Sequence, residues 1–406
     1  MRRVVITGIG TVNPLGNTVA DFRDAMFAGK NGIGIVTKFD VSDSKYKVAG
    51  EVKDFDAAAV LGKVTVRKTD PFTQFALAAA KEAMEQSGIA GTIESDRMGV
   101  CFGSGIGGMD TLCTDHQNLL EKGPRKVSPH FVPKMIYNIA AGNIAIEYGA
   151  NGPCTAVSTA CATGTTAVGE GYRTILHGYA DAMICGGAEA AINPLTMAGF
   201  GNCQALSDNP DPESACRPFD KNRNGFIMAE GAGVLVLEEY EHARARGAQI
   251  LAEVVGYGST CDAHHVTAPD PEAKYVAKAI LDALPESTDL SKVYVNAHGT
   301  STPLNDKTET TALKRAFCED AKKLHISSTK SMTGHMLGAT GAVECIACIL
   351  ALQNDTVPPT IHYTEPDPEL DLDYTPNTAV HTPLEVALCS NLGFGGHNAV
   401  VAFRKV

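Results

Sequence analysis

Tryptophan is missing from this chain of 406 residues, and aromatic residues of all kinds make up only 6%. Packing therefore falls to small side chains and to backbone. Glycine occurs 40 times, and the helix-like segments are rich in alanine and glycine, a composition that lets elements approach closely. Positive charge is scarce too: 34 Lys and Arg stand against 46 Asp and Glu, a net charge of −12. That balance excludes bulk attraction to nucleic acid or an anionic membrane, so an acidic partner must meet a local basic patch. No run of eighteen apolar residues exists, and no membrane-spanning segment is expected.

Other missing patterns narrow the chemistry. Ser104-Gly105-Ile106-Gly107-Gly108 lacks both the GxGxxG spacing and a Lys-Ser/Thr end, which excludes a nucleotide cradle. The 12 cysteines have no small-scaffold spacing, which points to a reducing compartment rather than a disulfide framework. Cys345-Ile346-Ala347-Cys348 is a CxxC pair without a second pair, inside an apolar helical run, and reads as core. Met1-Arg2-Arg3 and Val4 to Val12 imitate a signal peptide. The apolar part is short and broken by glycine, with no small-residue cleavage site before Asn13-Pro14. A buried first strand is the expectation, in a cytoplasmic protein or one of an organelle stroma.

What is present is an alternation of strand-like and helix-like runs over a soluble composition of 44% hydrophobic and 20% charged residues, an α/β pattern. Strands are expected at 4–9, 99–103, 155–158, 182–185 and 233–237, then at 251–257, 293–296, 326–329, 386–389 and 399–403. Helices are expected at 21–28, 71–86, 162–177, 273–284 and 340–352, with a helical layer within 109–150 and a long loop at 207–225. Ala162-Thr163-Gly164 opens one helix and Ala339-Thr340-Gly341 another in a matching strand–turn–helix setting. That echo points to duplication, with halves of 1–248 and 249–406.

Cys161 sits at the turn between strand and helix. Free N–H groups and the positive end of the helix dipole favour a thiolate there, and Ala160, Ala162 and Gly164 leave the sulfur approachable. The residues alone allow either a nucleophile or an ordinary buried cysteine. His298 and His335 each follow a strand and stand among small or hydroxyl residues, as suits side chains that enter a tight cavity. A Cys–His–His zinc site is the rival, but no metal-ligand spacing accompanies it. Gly393-Phe394-Gly395-Gly396 offers backbone N–H groups that could meet a developing oxyanion.

Four motifs together carry a resemblance over essentially the whole chain: the Cys161 turn, Asn296-Ala297-His298-Gly299-Thr300-Ser301-Thr302, Lys330-Ser331-Met332-Thr333-Gly334-His335, and Gly393-Phe394-Gly395-Gly396-His397-Asn398. The chain resembles the β-ketoacyl-acyl-carrier-protein synthases, and most of all the type II condensing enzymes of dissociated fatty acid synthesis. The resemblance implies a thiolase fold: two similar halves, each a mixed five-stranded sheet with helices, in five αβαβα layers. It also implies a homodimer, with parts of 105–150 near the partner.

The implied reaction is a decarboxylative Claisen condensation. Cys161 thiolate, its pKa lowered towards neutrality, takes an acyl group from acyl carrier protein while the N–H groups of Cys161 and Phe394 hold the oxyanion. Malonyl carrier protein then loses carbon dioxide, and neutral His298 and His335 stabilise the enolate through their N–H groups. Lys330 is implied as electrostatic support with Glu344 as its partner, Thr300 and Thr302 as pantetheine ligands, and Phe394 also as a gate. Ile106, Phe131 and Phe200 resemble acyl-pocket linings. Lys63, Arg67, Lys68, Arg125 and Lys126 match the docking area for an acidic carrier protein. No metal or cofactor is implied, since the substrates travel on the carrier's phosphopantetheine arm. Rival readings are a ketosynthase of a polyketide or aryl-polyene pathway, a non-catalytic chain-length-factor-like partner, a biosynthetic thiolase and a cysteine hydrolase.

Overall fold

The computed structural model describes residues 2–406. Most of its strands are buried along nearly their whole length, as strands covered on both faces must be. The first half contributes β1 (Val4–Val12), β2 (Met98–Gly103), β3 (Cys154–Thr155), β4 (Ala182–Glu189) and β5 (Gly231–Glu239). The second contributes β6 (Ala252–Cys261), β7 (Val293–Asn296), β8 (His325–Ser327), β9 (Val386–Gly393) and β10 (His397–Arg404).

The two halves order their strands identically, as β3-β2-β4-β5-β1 and β8-β7-β9-β10-β6. In each, the first strand runs antiparallel to the fifth and the fifth to the fourth, while the second lies parallel to both the third and the fourth. One contact was not anticipated: Val4–Ile6 pairs with Ala252–Val254, so the two five-stranded sheets share an edge and run on as one of ten strands.

Helices α1 (Pro71–Ser87), α2 (Met109–Lys122), α3 (Ile139–Tyr148), α4 (Thr163–Leu176), α5 (Lys274–Ala283), α6 (Pro303–Phe317) and α7 (Thr340–Asn354) complete the layers. α4 and α7 pack on each other between the two sheets, with α1 and α3 outside the first sheet and α5 and α6 outside the second. Small residues make the central layer possible. A Cβ on Gly164 would lie 2.4 Å from the Ala342 nitrogen, and one on Gly341 would lie 2.1 Å from Thr165 Oγ1. Leu337–Asn354 is apolar enough to cross a membrane by length and composition, with mean hydropathy 1.4, yet 89% of it is buried in the protein core.

Among the helices of eight residues or more, two escaped the apolar pattern, Pro194–Asn202 and α6. α6 buries Asn305, Asp306, Thr308, Glu309 and Thr310, so its inner face is polar and leaves no hydrophobic stripe. The strand expected at 155–158 is shorter, ending at Thr155.

Candidate active site

Chain geometry at Cys161 is unusual before any chemistry is considered. Ala160 has φ +50°, a left-handed conformation that costs a residue with a Cβ about 1–2 kcal/mol. A 3₁₀ turn over Ala160–Ala162 follows and leads into α4. Thr163 secures it: its Oγ1 accepts from the Thr159 N–H at 2.9 Å and donates to the Ala160 carbonyl at 2.7 Å. The second half repeats the device, with Leu337 at φ +43° and a 3₁₀ turn over Leu337–Ala339 before α7. Gly338 occupies the place that Cys161 holds in the first half. Strain kept in place by its surroundings is a mark of functional sites.

The turn carries the sulfur up to the glycine loop after β9. A Cβ on Gly393 would stand 2.3 Å from the Thr159 carbonyl oxygen and 3.3 Å from the Cys161 nitrogen, so only glycine admits this approach. It brings the N–H of Phe394 to Cys161 Sγ, beside the N–H of Cys161 itself. The expectation of a thiol shifted towards neutrality is corrected here. Burial pushes Cys161 up to about 12, and the nearby Lys330 ammonium and the two N–H groups only partly oppose it, while Glu189 adds to the rise. Desolvation outweighs the helix terminus because Cys161 is only 9% exposed.

His298 leaves β7 and is fixed through its backbone. The N–H groups of His298 and Gly299 donate to the two carboxylate oxygens of Glu309 on α6, at 2.6 and 2.7 Å. Burial drives Glu309 up to about 7. His335 follows the helical turn Lys330–Thr333, and it donates from its N–H to the Ile227 carbonyl at 2.7 Å and accepts from the Ala229 N–H at 2.9 Å. The two rings stand perpendicular at 87°, with centroids 5.3 Å apart. Burial, reinforced by Lys330, holds both imidazoles well below their ordinary pKa, so both are neutral. His298 Nδ1 lies 3.2 Å from Asn391 Oδ1, and His335 Nδ1 lies 3.0 Å from Thr340 Oγ1.

Lys330 Nζ donates to Glu344 Oε1 at 2.6 Å, a pair with no meaningful exposure, and Asn391 Nδ2 donates to Glu344 Oε2 at 2.9 Å. Burial pushes Glu344 up to about 8 against the pull of Lys330.

A cavity of about 290 Å³ collects Cys161, His298, His335, Phe394, Thr300 and Thr302 on its wall, with Phe200 beside them. The hydroxyls of Thr300 and Thr302 are 2.9 Å apart. Ile106 and Phe200 pack in the apolar cluster that includes Cys161. Phe131 does not join them: it lies on the short helix Phe131–Met135, half-buried and outside the cavity. Lys63, Arg67 and Lys68 are exposed on the helix Lys63–Lys68, and Arg125 and Lys126 on the turn Pro124–Lys126. None of the five forms an ion pair among the described residues, while most other surface cations do. No group of three His, Cys, Asp or Glu side chains there is arranged to hold a metal ion.

Glu309, Asn391 and Glu189 went unread in the sequence. Glu189, fully buried at the end of β4, accepts from Ser104 Oγ and from the N–H groups of Gly105, Ile106 and Gly338, tying the glycine-rich loop to the second 3₁₀ turn. A carboxylate closing an otherwise apolar strand was the available signal.

Duplicated sheets joined through a central helix pair, with Cys161 and two imidazoles on one cavity wall, define a ketosynthase of the thiolase fold. The chain belongs to the beta-ketoacyl synthase family. The model of its N-terminal domain matches residues 1–243 and that of its C-terminal domain residues 251–364. The 3-oxoacyl-[acyl-carrier-protein] synthase 2 of Synechocystis sp. is 48% identical, covering 100% of this chain and 98% of that one. The protein of the same name from Staphylococcus aureus is 49% identical with the same coverage. Among solved structures, a type II PKS acyl-carrier protein in complex with its ketosynthase matches with TM-score 0.90 and 34% identity, over 100% of this chain and 99% of that one.

Proposed function

We propose that this protein is a 3-oxoacyl-acyl-carrier-protein synthase that condenses an acyl group with malonyl-acyl carrier protein, lengthening the chain by two carbons in fatty acid synthesis. The observation that carries the reading is the meeting of Cys161, His298 and His335 in one cavity, under the N–H groups of Cys161 and Phe394. Identity of 48–49% to two synthases of that name, against 34% to the polyketide ketosynthase, favours fatty acid over polyketide chemistry.

Cys161 attacks the acyl thioester, and the two N–H groups receive the oxyanion, each such donor being worth about 3 kcal/mol of barrier. Malonyl carrier protein then enters. Loss of carbon dioxide creates the carbanion directly, so no strong base is needed, only hydrogen bonds to the enolate oxygen. His335 supplies one from Nε2, which is buried and has no protein partner. Thr300 and Thr302 line the approach of the pantetheine arm, and the buried Lys330–Glu344 pair sets the local potential.

Acyl carrier protein docks on the unpaired cations Lys63, Arg67, Lys68, Arg125 and Lys126. A second copy of the chain covers the exposed apolar side chains of Leu119, Leu120, Val132 and Ile146. Twelve cysteines without disulfide pairing suit the cytoplasm.

Incubation with acyl and malonyl carrier proteins, followed by mass analysis, tests this. A 3-oxoacyl product two carbons longer is expected. Free acid would instead mark a hydrolase, and no acyl turnover a non-catalytic partner subunit.

A further inference from the structure

Asn391 connects the Lys330–Glu344 pair to one of the two imidazoles. Its carboxamide is fully buried on β9. Nδ2 donates to Glu344 Oε2 at 2.9 Å, while Oδ1 sits 3.2 Å from His298 Nδ1. The Lys330 ammonium favours the ionised form of Glu344, and Nδ2 also meets Cys389 Sγ at 3.4 Å; turning the amide over would set its oxygen against that sulfur and a carboxylate oxygen, so these neighbours decide which end faces the ring. Glu344 is itself held by Lys330 through its other oxygen at 2.6 Å. An amide oxygen only accepts, so the ring nitrogen facing it must carry hydrogen. A neutral imidazole has one hydrogen to place. With that hydrogen on Nδ1, Nε2 of His298 presents a lone pair to the cavity.

His335 is built the other way. Its Nδ1 faces a hydroxyl, Thr340 Oγ1 at 3.0 Å, which can donate as well as accept, so nothing ties the hydrogen to Nδ1 and Nε2 is free to carry it.

We infer that Asn391 is a positioning residue that holds His298 as its Nδ1–H tautomer, giving the cavity one imidazole that accepts a proton and one that donates a hydrogen bond. This rests on the synthase reading and alters one part of it, since the family resemblance implies two N–H donors. The consequence for acyl transfer balances as follows. The sulfur–carbon bond to Cys161 forms while the thiol proton moves to His298 Nε2; the pantetheine carbon–sulfur bond breaks, and the departing sulfur takes that proton. A neutral resting thiol requires such an acceptor. In the condensation, the bond to carbon dioxide breaks and its electron pair forms the new carbon–carbon bond. Cys161 leaves as a thiolate and regains a proton from water through His298.

Nitrogen-15 NMR of the histidine rings in the full-length protein reads the tautomers directly, with His298→Asn and His335→Asn spectra for assignment. In the unsubstituted protein the hydrogen is expected on Nδ1 of His298 and on Nε2 of His335; hydrogen on Nε2 of His298 would overturn the inference. Asn391→Leu is expected to release the Nδ1–H tautomer and to lower kcat for condensation about 10- to 100-fold with KM for acyl carrier protein unchanged, the usual effect of losing a functional histidine's orienting partner. Asn391→Asp still offers an acceptor to Nδ1–H and is expected to retain the tautomer. A His298 tautomer that is the same in the Leu and Asp variants would also overturn it. Failure of the unsubstituted protein to acylate Cys161 sinks the synthase reading instead, and is seen separately from the ring spectra.

Discussion

At the scale of single residues, the cavity works against the charge its chemistry needs. Cys161 is pushed up to about 12 because its sulfur is withdrawn from water, and the ammonium of Lys330 recovers only part of that. The thiolate fraction then grows about tenfold for each pH unit below the pKa. Alkylation of Cys161 by iodoacetamide in the free enzyme is expected to keep accelerating from pH 7 to pH 10, measured by loss of the unmodified peptide. A rate that levels off by pH 8 would mean a thiol poised near neutrality. Cys161 and both histidines were legible as candidates because they stand in short motifs of small residues. Asn391 was not legible: along a strand it alternates with its neighbours like any other residue, and only the fold sets it between an imidazole and a carboxylate.

At the scale of elements, the site is made by turns that small residues allow to touch. The loop after β9 rests on the 3₁₀ turn before α4 because Gly393 has no Cβ to strike the Thr159 carbonyl, which would be 2.3 Å away. Gly393→Ala is expected to destabilise the protein by about 1–3 kcal/mol, as overpacking does, measured as a lower urea midpoint. It also moves the Phe394 N–H off the oxyanion position, and acylation of Cys161 should slow about 10²- to 10³-fold, the effect of losing one such donor. Unchanged acylation would show that Phe394 gives no hydrogen bond to the reacting oxygen. The strand–turn–helix around Cys161 and its echo near residue 339 were readable from apolar runs and glycine positions. α6 was not, because the face it buries is made of Asn, Asp, Thr and Glu, and one of those, Glu309, holds the His298 loop.

Across the whole molecule, duplication explains the asymmetry of the site. Two equivalent strained turns enter the central layer; one carries Cys161 and the other Gly338, while the second half supplies both histidines, His298 just after β7 and His335 after the helical turn that follows β8. That the halves share a ten-stranded sheet could not be seen beforehand, since pairing between β1 and β6 depends on edges rather than on any pattern within either strand. Charge is also a property of this scale. With a net charge of −12 on the chain, docking of an acidic carrier protein as proposed needs a local group of unpaired cations such as Lys63, Arg67, Lys68, Arg125 and Lys126. Replacing Arg67→Glu together with Lys68→Glu is expected to raise KM for carrier-bound substrates at low salt and to flatten its salt dependence, with kcat little changed. An unchanged KM would remove this face as the docking area. The most direct measurement is the mass of the Cys161 peptide after exposure to acyl carrier protein loaded with an acyl group. The expected result is that acyl mass on Cys161, its loss once malonyl carrier protein is added, and no elongated product from Cys161→Ala. An elongated product made by Cys161→Ala at the unsubstituted rate would contradict the assignment of this cysteine as the nucleophile.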